Sequence, residues 1–125
     1  MRIAGSSIDI ILPDNMSEAS ISSLKLCELF IGSVLSSNLQ AINVTVDKVA
    51  KHIICSDERV RENIRLILGA GALDAFISQL TSLLHTPSDS NAIGELKYRL
   101  NGQVGKISFY KNGSAAIDWK MVRKE

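Results

Sequence analysis

The dipeptide Asn101-Gly102 restricts the fold of this chain more than any other feature of its sequence. A two-residue turn of type I′ needs positive φ at both positions, and Asn-Gly is a pair that adopts it readily. Such a turn fixes the register of the hairpin around it. The predicted pairs are Leu100 with Gln103, Tyr98 with Gly105 and Leu96 with Ile107. Because Gly105 has no side chain, the ring of Tyr98 is expected to lie over bare backbone.

A second Asn-Gly pair, Asn112-Gly113, allows two registers for the following hairpin. A two-residue loop would set Ile107 opposite Asp118 and bury a carboxylate, which is costly. A three-residue loop over 111–113, with Gly113 as the bulge residue, avoids that cost. It pairs Phe109 with Ala115, Ile107 with Ile117 and Gly105 with Trp119, and it places Lys106 between Lys97 and Asp118 on the outer face. The buried face of the resulting three-stranded antiparallel meander is predicted to hold Leu96, Tyr98, Leu100, Ile107, Phe109, Ala115, Ile117, Trp119 and Met121.

The first part of the chain predicts a strand and a helix. Residues 2–12 are rich in isoleucine and largely alternate with polar residues, which is typical of a strand, and Pro13 ends it. Asn15 or Ser17 caps a helix that begins near Met16 and is apolar over 24–35. Further along the chain, residues 72–85 have apolar side chains at helical intervals, which favours another helix there. Residues 86–91 form a loop.

The stretch from Asn43 to Leu73 predicts two short helices with a sharp turn between them. Apolar side chains recur at helical spacing from Val46 to Ile53, after Thr45 as the N-cap. Ser56 would then cap a second helix over 57–68, which Gly69 and Gly71 end. The predicted fold is a single α+β domain over 1–125. It has three to four helices, including this helix-turn-helix-like pair, and a C-terminal three-stranded antiparallel meander joined by the N-terminal strand.

Residues 43–73 resemble the winged helix-turn-helix DNA-binding regulators. The resemblance lies in the spacing of Thr45, Val49, Ala50, Ile53, Cys55, Ser56, Val60 and Ile64, followed by Leu68, Gly71 and Leu73. It implies a small regulator of transcription that binds double-stranded DNA. A cytoplasmic location is expected from the cysteine usage and from the N-terminal sequence, which lacks the pattern of a signal peptide. The DNA-contacting residues that the resemblance implies are Lys51, Asp57, Glu58, Arg59, Arg61, Asn63 and Arg65. Among these, Arg61 suits a bidentate guanine contact, and Lys51 or Arg59 suits phosphate.

The same resemblance implies a homodimer, because two half-sites supply affinity that one helix of balanced charge does not. The wide apolar surface of the first helix, or the meander, would form the dimer contact.

The residues of the predicted recognition helix also fit a solvated, salt-bridged face. Asp57 and Arg61, Glu58 and Arg61, and Glu62 and Arg65 are spaced at i,i+3 or i,i+4. The chain has 14 Lys and Arg against 13 Asp and Glu, a net charge of +1, whereas nucleic-acid binders carry a visible basic excess. The second predicted function is therefore a cytoplasmic protein-binding module, such as an immunity protein that neutralises a bacterial toxin domain.

No stretch of the sequence predicts a catalytic centre, a cofactor or a metal site. His52 and Cys55 are three residues apart, but no second pair of ligands accompanies them. The serines lack a nucleophile-elbow pattern, and the sequence around Gly69 lacks the lysine of a phosphate loop. Cys27 and Cys55 are expected to be free thiols, and the apolar run over 24–35 is too short to span a membrane. The basic residues Lys120, Arg123 and Lys124 either contact phosphate or only keep the chain soluble.

Overall fold

The computed structural model describes residues 8–14, 25–36, 40–47, 52–58, 60–62, 73–114 and 117–124. Its strands are β1 (Ile8–Ile11), β2 (Ala41–Asp47), β3 (His52–Cys55), β4 (Gly94–Leu100), β5 (Gln103–Lys111) and β6 (Ile117–Lys124). Its helices with described bounds are α1 (Lys25–Ser36) and α2 (Leu73–Ser82). The strands form one antiparallel sheet in the order β1-β4-β5-β6-β2-β3. The last strand of the sequence therefore lies beside the second.

The hydrophobic core lies between the two helices and one face of the sheet. Helix α1 contributes Phe30 and Ile31, and α2 contributes Phe76 and Leu80. The rings of Phe30 and Phe76 meet edge to face, with centroids 5.3 Å apart and planes at 82°. The sheet supplies Ile10, Ile42, Val44, Leu96, Tyr98, Ile107, Phe109, Ile117, Trp119 and Met121. Alternate residues of each strand point away from this core, so the other face of the sheet carries a separate set of side chains.

The predicted hairpin around Asn101-Gly102 is confirmed. Both residues have positive φ, 51° and 81°, and β4 pairs with β5 in the predicted register. A Cβ atom on Gly105 would lie 2.6 Å from Cζ of Tyr98, which is buried. The tyrosine ring therefore occupies space that only glycine leaves open opposite it.

The predicted register of the second hairpin is wrong. Phe109 pairs with Met121 rather than with Ala115, and Ile107 pairs with Arg123. The turn is longer than predicted, and the N–H of Asn112 donates to the carbonyl oxygen of Asp118 at 2.8 Å. Because the offset is an even number of residues, the same face of β6 remains buried. The longer turn brings the Asp118 carboxylate against Gly113, where a Cβ atom would clash with it.

The helix predicted from Val46 to Ile53 is wrong, and so is the predicted fold class with its helix-turn-helix pair. Val46 belongs to β2 and Ile53 to β3, and the two residues lie opposite each other in an antiparallel ladder. β-Branched residues fit such a pleated surface because their side chains pack well against cross-strand neighbours. Within the described residues the sheet has six strands, in place of a three-stranded meander with one strand added. Residues 48–51 of the predicted helix lie outside the described residues.

A helical turn does follow β3, but Asp57 caps it in place of Ser56. The Oδ1 atom of Asp57 accepts the N–H of Val60 at 3.0 Å, and its carbonyl accepts the N–H of Arg61 at 3.0 Å. Ser56 instead joins β3 to β2, because its Oγ accepts the N–H of Asn43 at 3.1 Å. Glu58 and residues 60–62 are helical, and the remainder of the predicted helix, 63–68, lies outside the described residues.

The strand ended by Pro13 and the two apolar helices are confirmed where they are described. β1 pairs with β4, with Ile10 opposite Tyr98, and α2 lies within the predicted range 72–85. The predicted beginning of the first helix, near Met16, lies outside the described residues. The apolar face of the meander and the described apolar side chains of α1, both proposed for dimerisation, are used inside the fold, since Phe109 and Phe30 are buried in the core.

A disulfide between β2 and β3 tests the ladder that replaces the predicted turn. Val44 lies opposite Cys55, and the neighbouring pair of Asn43 and Ser56 is the hydrogen-bonded one. The Cα atoms of such non-hydrogen-bonded pairs lie about 4.5 Å apart, within the range of a disulfide. We expect Val44→Cys, in a Cys27→Ala background, to form an intramolecular disulfide with Cys55 on oxidation.

The measurement is intact-mass spectrometry after alkylation of the remaining thiols. The control adds Cys55→Ala to the same protein, and its single thiol should be fully alkylated. If the Val44→Cys protein has both of its thiols, at positions 44 and 55, alkylated after oxidation, the β2–β3 register is incorrect.

Candidate functional site

Three of the seven predicted DNA-contacting residues are described, and they lie in one helical turn. Asp57 is the cap of that turn. Nη2 of Arg61 lies 3.8 Å from Oε1 of Glu58, three residues earlier. This is the geometry of a salt-bridged helix face. Lys51, Arg59, Asn63 and Arg65 lie outside the described residues, so the DNA-contacting set stays a prediction.

The face of the sheet turned away from the helices brings three lysines side by side. Lys97 of β4 lies opposite Lys106 of β5, and Lys106 lies opposite Lys124 of β6. We call these three residues the lysine row. Like charges directly opposite each other in a sheet are destabilising. Such a row is therefore retained only where other groups offset the repulsion.

The carboxylate of Glu95 provides part of that compensation. Its side chain is only 5% exposed, and its oxygens lie 3.9 Å from Nζ of Lys97 and 3.7 Å from Nζ of Lys106. The backbone N–H and the hydroxyl of Ser88 donate to Oε2 at 3.3 and 3.1 Å. Burial raises the pKa of Glu95, but the two hydrogen bonds from Ser88 and the two lysine charges outweigh it, so the pKa lies below its usual value. The group is thus an anion at neutral pH.

A second chain of contacts ties the loop before β4 to the other end of the lysine row. Nζ of Lys124 donates to the hydroxyl of Tyr110 at 2.9 Å, and that hydroxyl donates to Oδ2 of Asp89 at 2.9 Å. The N–H of Asn91 and the Tyr110 hydroxyl lower the pKa of Asp89. The hydrogen bond to Tyr110 raises the pKa of Lys124. Both groups therefore hold their charges across the neutral range.

The lysine row borders a depression of about 240 Å³ on the exposed face. Its lining consists of Glu95, Lys97, Val104, Gly105, Lys106 and Lys124. Three ammonium groups and one carboxylate line this space, so positive charge is in excess there. Lys106 is also held in place, because its Nζ donates to Oγ of Ser88 at 2.8 Å. The arrangement is suited to binding an anion.

Only part of this site was predicted from the sequence. Lys97 and Lys106 were correctly placed as neighbours, but the incorrect register of the second hairpin put Asp118 beside them. In the structure Lys124 takes that place, and Asp118 instead accepts a hydrogen bond from Thr45 of β2 at 2.8 Å. The predicted register placed a carboxylate beside these lysines, whereas the observed register places a third lysine there and makes the face cationic. The sequence signal that was available for Lys124 was its position in a basic segment.

Comparison of the chain with family models, with curated proteins and with solved structures finds no match. Within the described ranges, no group of three or more His, Cys, Asp and Glu side chains is placed to hold a metal ion. No helix of the described part has both the length and the apolar character needed to cross a membrane. The lysine row and its surroundings are therefore the basis for proposing a function.

Proposed function

We propose that the protein is a binding module for an acidic protein partner, which it contacts through the exposed face of β4, β5 and β6. The lysine row is the observation that carries the proposal. One carboxylate, Glu95, is shared between Lys97 and Lys106, so part of the repulsion along the row remains. Carboxylates of a docked protein would remove it, and they would also steer the approach of the partner. A toxin domain neutralised by an immunity protein is one partner of this kind, provided that its docking surface is acidic.

Exposed apolar side chains on the same face support a protein partner. The large hydrophobic residues exposed within the described ranges are Ile54, Ile93 and Val104, at 56%, 46% and 59%. Val104 alternates with the inward-facing residues of β5, and Ile54 lies opposite Thr45, whose hydroxyl bonds the outward-facing Asp118. Ile93 lies immediately before β4, outside the strands of this face. Apolar contacts among polar ones are typical of protein interfaces.

The charge distribution disfavours a nucleic acid as the partner. Glu95 and Asp89 lie beside the lysine row and would repel an extended run of phosphate groups, and the net charge of the chain is only +1. Tyr110, the aromatic side chain of this face in the described ranges, is held by Asp89 and Lys124. Nζ of Lys124 also lies over its ring, 5.6 Å from the centroid, which leaves less of the ring for stacking on a base. The predicted DNA-binding role also relied on a helix over 46–53, whose ends belong to strands.

Charge reversal in the centre of the lysine row tests the proposal. Labelled poly-L-glutamate serves as the acidic probe, and its binding is measured by fluorescence anisotropy at low and moderate salt. We expect Lys106→Glu to weaken binding about tenfold, which corresponds to about 1.4 kcal/mol, because a central attraction becomes a repulsion. The matched control is Lys111→Glu, which makes the same charge change at the exposed end of β5 and should alter affinity less than twofold.

Double-stranded DNA is titrated in parallel under the same conditions. Equal weakening by Lys106→Glu and Lys111→Glu would show that only net charge matters and would overturn the proposal. It would also be overturned if DNA bound more tightly than poly-L-glutamate and Lys106→Glu abolished that binding.

A further inference from the structure

We infer that the depression beside the lysine row binds a phosphomonoester dianion, presented as a phosphorylated side chain of the protein partner. The inference rests on the proposed function and names the chemical group that the centre of the docking face recognises. It is supported by the charges and hydrogen-bond donors that Lys97, Lys106 and Lys124 place around this depression.

The charge of the depression fits a dianion better than a carboxylate. Its lining holds three ammonium groups and one carboxylate, Glu95, an excess of two positive charges within the lining; the carboxylate of Asp89 lies outside it, beyond the hydroxyl of Tyr110. A phosphomonoester carries a charge of about −1.5 to −2 at neutral pH. A carboxylate of the partner would offset only one of the two. The phosphorylated side chain therefore neutralises the site, whereas an Asp or Glu side chain leaves it positive.

The lysines also keep hydrogen-bond donors for such a ligand. An ammonium group has three N–H donors. Among the described contacts, Lys124 uses one on Tyr110, and Lys97 makes a single ion pair with Glu95 at 3.9 Å. Three acceptor oxygens on a phosphomonoester match donors arriving from two or three strands at once. Ser88 and Glu95 hold Lys106 in place before a ligand arrives, which lowers the entropy lost on binding.

The size of the depression suits a phosphorylated side chain. About 240 Å³ accommodates a phosphate group together with the carbon atoms that connect it to a peptide backbone. Val104 forms an apolar part of the lining and offers contact to those carbon atoms. An isolated phosphate ion would use the lysines and leave this apolar contact unmade.

The experiment compares three probes by isothermal titration calorimetry on the full chain. They are a short peptide with one phosphoserine, the same peptide with glutamate at that position, and inorganic phosphate. We expect the phosphoserine peptide to bind at least ten times more tightly than either of the others. Lys97→Gln and Lys124→Gln should each weaken its binding about tenfold. Lys120→Gln removes a lysine from the same face outside the depression, and it should change affinity less than twofold.

Equal affinity for the phosphoserine and glutamate peptides would overturn the phosphate inference. If poly-L-glutamate binding still depended on Lys106 in that case, the proposed function would stand without it. Inorganic phosphate binding as tightly as the peptide would show that the site takes the free ion, which also overturns the inference. If the unaltered protein bound neither the phosphoserine peptide nor poly-L-glutamate, the inference and the proposed function would both be overturned. Circular dichroism of each variant confirms that the fold is retained.

Discussion

Phe30→Ala should lower the free energy of unfolding by about 3–5 kcal/mol, the range found when a large buried aromatic side chain is truncated. Phe30 is 1% exposed and lies in α1 where the helix packs on α2. Its ring meets the ring of Phe76 edge to face. Truncation would remove the contacts of the ring and leave a cavity that two helices and a sheet cannot close fully. Urea denaturation followed by far-UV circular dichroism measures the change.

A double-mutant cycle separates the contact between the rings from the cost of the cavity. Phe76→Ala alone should cost a similar amount, and the two changes together should cost less than their sum by about 0.5–1.5 kcal/mol, the coupling of an aromatic pair. Ser78→Ala, an exposed position on α2, is the control and should stay within about 0.5 kcal/mol of the unaltered protein. Strict additivity would show that the two rings are not in contact.

The first hairpin was predictable because its determinants are adjacent in sequence. Asn101-Gly102 specifies the turn, and the alternation on either side specifies the faces. The pairing of Tyr98 with Gly105 follows from the turn alone, and no distant residue changes it. The second hairpin offered no such constraint. Its longer turn sets β6 in register with β5 on one side and with β2 on the other.

The strand pair over 41–55 was missed because two periodicities overlap there. Val46 and Ile53 belong to a set with helical spacing, but Val46 also continues the alternation of Ile42 and Val44. The choice between these patterns depends on a partner far along the chain, since Ile42 lies opposite Met121. When β6 pairs with residues 41–47, an extended conformation lets the backbone of this segment form its hydrogen bonds. It also lets the β-branched side chains of the segment pack against neighbouring strands. A local pattern does not contain that information.

The lysine row shows the same division between local and distant information. Lys97 and Lys106 were predicted as neighbours because they belong to one hairpin. The contributions of Lys124, Ser88 and Asp89 depend on the β5–β6 register and on a loop that returns to the sheet. Net charge was a poor guide to the electrostatic character of this face, because a nearly neutral chain can still gather its lysines on one surface.

Glu95→Ala should lower the free energy of unfolding by about 2–3 kcal/mol at pH 7, because a buried anion that accepts hydrogen bonds is removed from among cations. The N–H of Ser88 would lose its acceptor, and the lysine row would lose its one lining carboxylate. Glu95→Gln keeps the shape and one acceptor oxygen but not the charge, and should cost about 1 kcal/mol. Ser88→Ala is the comparison, since it removes the hydroxyl that donates to Glu95 and accepts from Lys106 but leaves the carboxylate and its two lysine partners in place.

The pH dependence of that loss identifies the charge as its cause. The pKa of Glu95 in the folded protein lies below its usual value of 4.5. The folded state therefore binds fewer protons there than the unfolded state, and the ionised group contributes stability that is complete above pH 4.5 and declines as pH falls through the folded pKa. Glu95→Gln has no such group, so its deficit against the unaltered protein should be constant from pH 8 to about pH 5 and should shrink below it. A deficit that stayed the same down to pH 3 would show that the carboxylate is not an ionised partner of Lys97 and Lys106, and the account of the lysine row as a compensated cationic site would fail.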